Sequence, residues 1–150
     1  MVSPPLLLGH RGARAISSVR ENTFDSFDLA LQHGCDGFEF DLRLTGCGRA
    51  VVCHDPKVGR IPVARANRRQ LLDLPQFGDV LACYGQRVFL DIELKVRGLE
   101  PAVLDALRES RPARDYVVSS FLPAVLLELK ARSAVVPLGI ICQKQQQLAR

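Results

Sequence analysis

The chain has 150 residues, 47% of them hydrophobic, so residues 1–150 are expected to form a single domain with a buried core. Its 20 Lys and Arg against 16 Asp and Glu give a net charge of +4, which is compatible with an anionic substrate. An aromatic content of 6%, the absence of Trp and the lack of a basic helix argue against binding to nucleic acid.

The chain begins with a short apolar run, Leu6–Leu8, which predicts a buried strand ending in the polar tip Gly9-His10-Arg11-Gly12. This run is far too short for a signal peptide or a membrane span. The five cysteines are an odd number without CxxC spacing, which is typical of reduced thiols. These features predict a soluble cytoplasmic protein.

Two later segments share one alternating pattern. Gly37–Leu44 and Val88–Lys95 each alternate apolar and charged residues with period two, which predicts strands with one solid apolar face. The opposite faces carry the acidic residues Glu39, Asp41, Asp91 and Glu93. Two such strands side by side would share a charged cavity.

The first charged strand is followed by a short connection, Thr45–Arg49. A parallel crossover takes about a dozen residues, so Ala50–His54 is predicted to fold back as a hairpin partner instead. If the turn centres near Gly46-Cys47, His54 lies roughly opposite Glu39. The hairpin would therefore bring an imidazole to the carboxylates.

The other segments alternate between helix and strand patterns. Asn22 is predicted to cap a helix from Thr23 to about His33 that stops at Gly34, and Pro56–Arg65 predicts a loop. Three helices are predicted next: a short one capped by Asn67 and ending at Leu72, one over Phe77–Tyr84 and one from Glu100 to about Glu109. The remaining predictions are a strand over Tyr116–Phe121, a helix opened by Pro123, a strand over Val136–Cys142 and a last helix from Gln143.

This alternation predicts a parallel sheet covered by helices, as in open α/β sheets and (β/α)₈ barrels. Polar residues recur at the carboxyl ends of the predicted strands, the edge at which both architectures gather their functional sites. No GxGxxG or Walker pattern follows the first strand, which argues against a nucleotide-binding protein.

Glu39, Asp41 and Glu93 are the candidate metal ligands. Carboxylates about 6 Å apart repel by about 3 kcal/mol per pair at an effective dielectric near 20, and a divalent cation offsets this repulsion well. Ligands that are all oxygen favour Mg²⁺ or Ca²⁺ over zinc. The alternative is an internal salt-bridge network in which Lys95 or Arg43 neutralises the acids.

His10 and His54 are candidate catalytic residues, since imidazoles at strand tips beside carboxylates suit a general acid and base near neutral pH. Metal ligation by the two histidines is the alternative. Arg11 and Lys95 would donate hydrogen bonds to an anionic oxygen such as that of a phosphate. For Arg11 the alternative is an ion pair with Glu21 or Glu39.

The order and spacing of five short motifs resemble those of the glycerophosphodiester phosphodiesterases. The motifs are Gly9-His10-Arg11-Gly12, Glu21-Asn22-Thr23, Glu39-Phe40-Asp41, His54-Asp55 and Glu93-Leu94-Lys95, and Ser119-Ser120-Phe121 continues the match. The resemblance implies a (β/α)₈ barrel and metal-dependent hydrolysis of glycerophosphodiesters to glycerol 3-phosphate and an alcohol. It also implies His10 and His54 as acid and base, Glu39, Asp41 and Glu93 as metal ligands, and Arg11 and Lys95 as phosphate contacts.

The chain supplies only about five of the eight strands of such a barrel, plus the hairpin after the second strand. Three more strands with their helices would need on the order of 80–100 residues, so the domain is expected to be truncated at its C-terminus. Its open sheet edges predict self-association. Two alternatives to an active enzyme follow: a non-catalytic phosphate- or metal-binding remnant, and a half-barrel active only as an oligomer.

Overall fold

The computed structural model describes residues 4–113 and 115–143. The strands are β1 (Leu8–His10), β2 (Gly37–Leu44), β3 (Ala50–Val52), β4 (Lys57–Val58), β5 (Ile61–Pro62), β6 (Phe89–Leu94), β7 (Tyr116–Ser120) and β8 (Leu138–Ile140). The α-helices are α1 (Phe24–Gln32), α2 (Phe77–Tyr84), α3 (Glu100–Ser110) and α4 (Pro123–Arg132), and 3₁₀ turns cover Val63–Arg65 and Arg68–Leu71.

Five strands form one parallel sheet in the order β1-β2-β6-β7-β8. The hairpin strand β3 runs antiparallel to β2 and pairs with its last three residues, on the same edge as β1. Within the described residues, a helix lies between each consecutive pair of these parallel strands and returns the chain to the other end of the sheet. The predicted α/β class, with five barrel strands and a hairpin, is therefore confirmed, and the described residues do not close the sheet into a barrel.

The main core lies between the sheet and its helices. It takes the apolar residues of the two alternating strands, among them Phe38, Phe40 and Ile92, all fully buried. Phe27 of α1 stacks on Phe38, with 4.1 Å between the ring centroids. Burial of a large side chain contributes about 1.5–3 kcal/mol, so this face carries much of the stability of the fold.

A second, smaller core lies under the segment predicted as a loop. Residues 57–62 form the β4–β5 hairpin, followed by the two 3₁₀ turns, and their apolar side chains pack on the end of β3. The prediction of a loop was wrong here because these apolar residues are too sparse to show a strand or helix period. The predicted cap at Asn67 is confirmed, although the turn it opens is 3₁₀.

The first strand and the first helix begin later than predicted. β1 begins at Leu8, because its pairing with β2 begins opposite Gly37, and Leu6 and Leu7 are exposed. The N-cap of α1 is Thr23, whose Oγ1 accepts a hydrogen bond from the Ser26 N–H, and not Asn22. Asn22 has a positive φ of 57° and its side chain points to the sheet instead.

The hairpin register differs by one residue from the predicted one. Leu42 pairs with Val52, so extending the ladder would bring His54 level with Phe40 and not with Glu39. The helix predicted from Gln143 onward falls on residues 144–150 and lies outside the described part of the chain. Within the described ranges, no helix is both long and apolar enough to cross a membrane.

Candidate active site

The parallel register brings the predicted acidic ligands to one place. Glu39 and Asp41 project from β2 on the face away from the helices, and Asp41 pairs with Glu93 of β6. Oxygen atoms of these three carboxylates lie within 4.8 Å of one another. A period-two strand pair in this register therefore converts three separate acidic residues into one cluster.

Two cations already contact this cluster. Lys95 Nζ lies 2.6 Å from Glu93 Oε1 and 3.3 Å from Asp41 Oδ1, and Arg11 Nε lies 3.2 Å from Asp41 Oδ2. Two buried oxygens, Glu39 Oε1 and Asp41 Oδ1, still have no hydrogen bond. The salt-bridge alternative thus accounts for part of the cluster, since Lys95 is in ion-pair contact with Asp41 Oδ1, but it leaves Glu39 Oε1 without a hydrogen bond.

The cluster fits a hard divalent cation. Buried carboxylate oxygens without hydrogen-bond donors are costly, and oxygen ligands from three acids are what Mg²⁺ or Ca²⁺ takes in proteins. Burial, and then the charge of Asp41, raises the pKa of Glu39 to about 8. A bound cation would reverse the balance and favour the ionised form of Glu39.

Asn22 was predicted only as a helix cap, and the structure places it in the site. Its Nδ2 donates to Asp41 Oδ2 at 2.9 Å, and its Oδ1 accepts from the backbone N–H of Asp41 at 3.3 Å. The Asn22 side chain therefore holds both the carboxylate and the backbone N–H of Asp41. Asn adopts a positive φ more readily than most residues, so the residue type is a sequence signal for the conformation of Asn22. The sequence does not indicate the hydrogen-bond partner of Asn22, because Asp41 is 19 positions away.

The tip of β1 positions His10 and Arg11. His10 Nε2 lies 3.6 Å from Glu39 Oε2, and the Arg11 backbone N–H donates to the same oxygen at 2.9 Å. The turn requires Gly12, since its φ is +76° and a Cβ would lie 2.6 Å from the carbonyl oxygen of Ser26. Burial, and then the Arg11 charge, lowers the pKa of His10.

The Arg11 side chain satisfies the alternative foreseen for it. Its Nη1 lies 2.9 Å from Glu21 Oε1, in addition to the contact with Asp41. Arg11 is thus a buried cation shared between two acids, one at the site and one beside it. This arrangement fixes the guanidinium at the rim of the cluster.

His54 lies just beyond the β3 ladder. Its Nδ1 is 2.8 Å from Asp55 Oδ1, and its backbone oxygen accepts a hydrogen bond from Arg43 Nε at 2.7 Å. The role of Arg43 was missed, because it was considered only as a counter-charge for the acids. The Asp55 contact leaves Nε2 of His54 free for chemistry, and the ring is about one third exposed.

A fourth carboxylate, that of Asp91, lies beside the cluster. Asp91 pairs with Glu39 in the sheet register, and Ser119 Oγ donates to Asp91 Oδ1 at 2.5 Å. Burial raises the pKa of Asp91. Asp91 does not belong to the group of three acids whose oxygens converge.

Comparisons with known proteins find similarity to phosphodiesterases. The model of the Glycerophosphoryl diester phosphodiesterase family matches residues 10–76. A glycerophosphodiester phosphodiesterase of Caldanaerobacter subterraneus subsp. tengcongensis is 27% identical over 164 residues, a match that covers 92% of this chain and 67% of that protein. The chain is therefore similar to glycerophosphodiester phosphodiesterases over most of its length.

Two solved structures extend the likeness over the whole sheet. The glycerophosphodiester phosphodiesterase of Thermotoga maritima is 26% identical with a TM-score of 0.78, covering 97% of this chain and 65% of that one. An Oleispira antarctica phosphodiesterase, solved in complex with the product sn-glycerol-3-phosphate, is 25% identical with a TM-score of 0.78, covering 96% and 70%. The chain thus spans about two thirds of the length of these phosphodiesterases.

Proposed function

We propose that this chain belongs to the glycerophosphodiester phosphodiesterase family and hydrolyses glycerophosphodiesters to glycerol 3-phosphate and an alcohol, with Mg²⁺ or Ca²⁺ as cofactor. The observation that carries the proposal is the cluster of Glu39, Asp41 and Glu93, with two buried oxygens that accept no hydrogen bond, directly beside His10. The product bound to the Oleispira antarctica relative supports the choice of substrate.

Glu39, Asp41 and Glu93 would hold the cation, which when bound supplies Lewis-acid stabilisation of the charge on the phosphoryl oxygens. Arg11 and Lys95 line the same cluster and carry N–H groups beyond those used by the acids. We assign these N–H groups to the phosphate, where fixed donors stabilise the developing negative charge.

The two histidines would divide the proton transfers. A lowered pKa keeps His10 neutral near pH 7, so His10 would take the proton from the nucleophile, which is water or the glycerol 2-hydroxyl. Attack by the 2-hydroxyl would first give a cyclic phosphate, which water then opens to glycerol 3-phosphate. As the new P–O bond forms and the bond to the alcohol breaks, His54 would give a proton from Nε2 to the leaving oxygen. Asp55 holds the opposite nitrogen of the His54 ring and so aims Nε2.

The experiment is a coupled assay of glycerol 3-phosphate release with Mg²⁺, with Ca²⁺ and with chelator. We expect His10→Ala and His54→Ala each to lower kcat by about 10²–10⁴-fold while cation binding persists. His33→Ala is the matched control, because His33 is an exposed C-cap residue of α1, and it should retain activity. Turnover that persists in either site variant would contradict the assigned roles.

Loss of cation binding in both variants would instead make the histidines ligands. Cation binding without turnover in the parent chain would identify a phosphate- or metal-binding remnant. In that case the acidic cluster keeps its role and the two histidines lose theirs.

A second candidate, a half-barrel active as an oligomer, is favoured by the outer strands of the sheet. Within the described residues β1 pairs only with β2 and β8 only with β7, and Ile140 of β8 is exposed. Open edges pair readily with other chains, and a charge on the edge prevents this. By sedimentation, the chain should exceed its monomer mass of 16.6 kDa, and Ile140→Lys should lower the mass. An active monomer would rule this candidate out.

A further inference from the structure

A cavity of about 220 Å³ opens beside His54, between the loop that follows β1 and the β4–β5 hairpin. The polar part of its lining consists of Arg20, Glu21, Asn22, His54, Asp55 and Lys57. On the proposed mechanism His54 protonates the leaving alcohol. The group attached to that alcohol oxygen therefore lies against this cavity, and its lining decides which alcohols fit.

The acidic residues of the lining are already engaged. Glu21 is paired with Arg11 at 2.9 Å and with Arg14 at 3.1 Å, and Asp55 is held by His54 at 2.8 Å. Throughout the described ranges, neither Arg20 nor Lys57 takes part in an ion pair. The charge that remains available to a ligand in the cavity is positive.

The distribution of charge along the chain strengthens this point. Residues 56–72, of which Lys57, Val58 and Gly59 line the cavity, contain five Lys and Arg and no Asp or Glu. The rest of the chain has 15 Lys and Arg against 16 Asp and Glu, so the positive net charge resides in this one segment. Lys57, Arg60, Arg65 and Arg69 of the segment are exposed. Such a concentration of one sign attracts anions to the mouth of the site.

The lining is poorly suited to a cationic headgroup. Quaternary ammonium groups are bound over the faces of Trp, Tyr or Phe, and none of the residues described as lining this cavity is one of these. Arginine and lysine beside a catalytic histidine are suited to carboxylate or phosphate oxygens.

Building on the proposed function, we propose that this cavity is the leaving-group subsite. It selects glycerophosphodiesters whose alcohol carries a further anionic group, a carboxylate or a phosphate, through Arg20 and Lys57. The volume of the cavity limits the alcohols that fit to small ones.

The test compares glycerophosphoserine with glycerophosphoethanolamine, which differ by one carboxylate. Both kcat/KM and, by calorimetry in the presence of Ca²⁺, Kd are measured for each diester. Exposed charge pairs contribute up to about fivefold each, so we expect a preference of about tenfold for the serine diester. Arg20→Gln and Lys57→Gln should each reduce this ratio to about two- to threefold. Lys130→Gln, which removes an exposed cation of α4 away from the cavity, should leave the ratio unchanged.

The outcomes separate this subsite from the proposed reaction. Turnover of both diesters at equal kcat/KM, or a serine preference that survives both cavity variants, would overturn the subsite and leave the hydrolase intact. Selective binding of the serine diester that both variants abolish, without turnover, would support the subsite and contradict the hydrolase.

Discussion

The two faces of β2 show how one strand divides stability from chemistry. On the helix side, Phe38 and Phe40 are fully buried against other aromatic rings. On the other side, Glu39 and Asp41 are also buried, yet each keeps an oxygen without a hydrogen bond. Burial of the apolar face stabilises the folded state, whereas burial of the acidic face destabilises it. A buried acidic face is retained in such a fold where a ligand compensates for it.

The largest effect expected of a single substitution is on the helix side. Phe38→Ala should destabilise the fold by about 3–5 kcal/mol, because the removed ring is stacked on Phe27 and leaves a cavity. Urea denaturation measures the free energy of unfolding. Leu127→Ala, on the exposed side of α4, is the control and should change it by less than about 0.5 kcal/mol. Similar decreases in the free energy of unfolding in the two variants would contradict the stabilising role of this face.

On the site face, stability should depend on pH. In the metal-free protein the pKa of Glu39 is raised from 4.5 to about 8, so its contribution to stability is present below pH 4.5 and is lost as the pH rises through 8. The loss should be on the order of 4–5 kcal/mol, since one pKa unit corresponds to about 1.4 kcal/mol. Thermal unfolding in chelator at pH 5, 7 and 9 measures it. Glu39→Gln should abolish this dependence of stability on pH between pH 5 and 9. If stability falls with pH equally in both proteins, Glu39 is not the cause.

A smaller effect is expected at Asn22, which supports the site face from α1's side. Asn22→Gly keeps the positive φ and removes both hydrogen bonds to Asp41, so cation affinity should fall about tenfold and stability by about 1–2 kcal/mol. Thr23→Val is the control, since it removes the α1 cap at a similar cost in stability. Equal cation affinities in the two variants would make Asn22 a purely structural residue.

The contrast between the two faces also explains how much could be predicted from sequence. Alternation in β2 and β6 was sufficient to predict both strands, their apolar faces and the meeting of Glu39, Asp41 and Glu93, because period two fixes the face of every residue. The acid and base roles of His10 and His54, suggested by their predicted place at strand tips and by the family resemblance, stay predictions.

Contacts that depend on distant backbone geometry could not be predicted. Asn22 resembles a helix cap in sequence, and only the fold shows that its side chain reaches β2. The bond from Arg43 to the His54 backbone depends on the hairpin register, which was predicted one residue out. Leu6 and Leu7 are apolar yet exposed, because strand pairing and not hydrophobicity decides where β1 begins.

The most direct test of the site is calorimetric titration of Ca²⁺ and Mg²⁺ into the metal-free chain and into Glu93→Gln, which alters the ligand from the neighbouring strand. One ion should bind per chain, and the variant should bind it at least about tenfold more weakly. Asp105→Asn, an exposed carboxylate of α3, should leave the affinity unchanged. An unaltered affinity in Glu93→Gln, or the absence of binding by the parent chain, would contradict a cation site shared by β2 and β6.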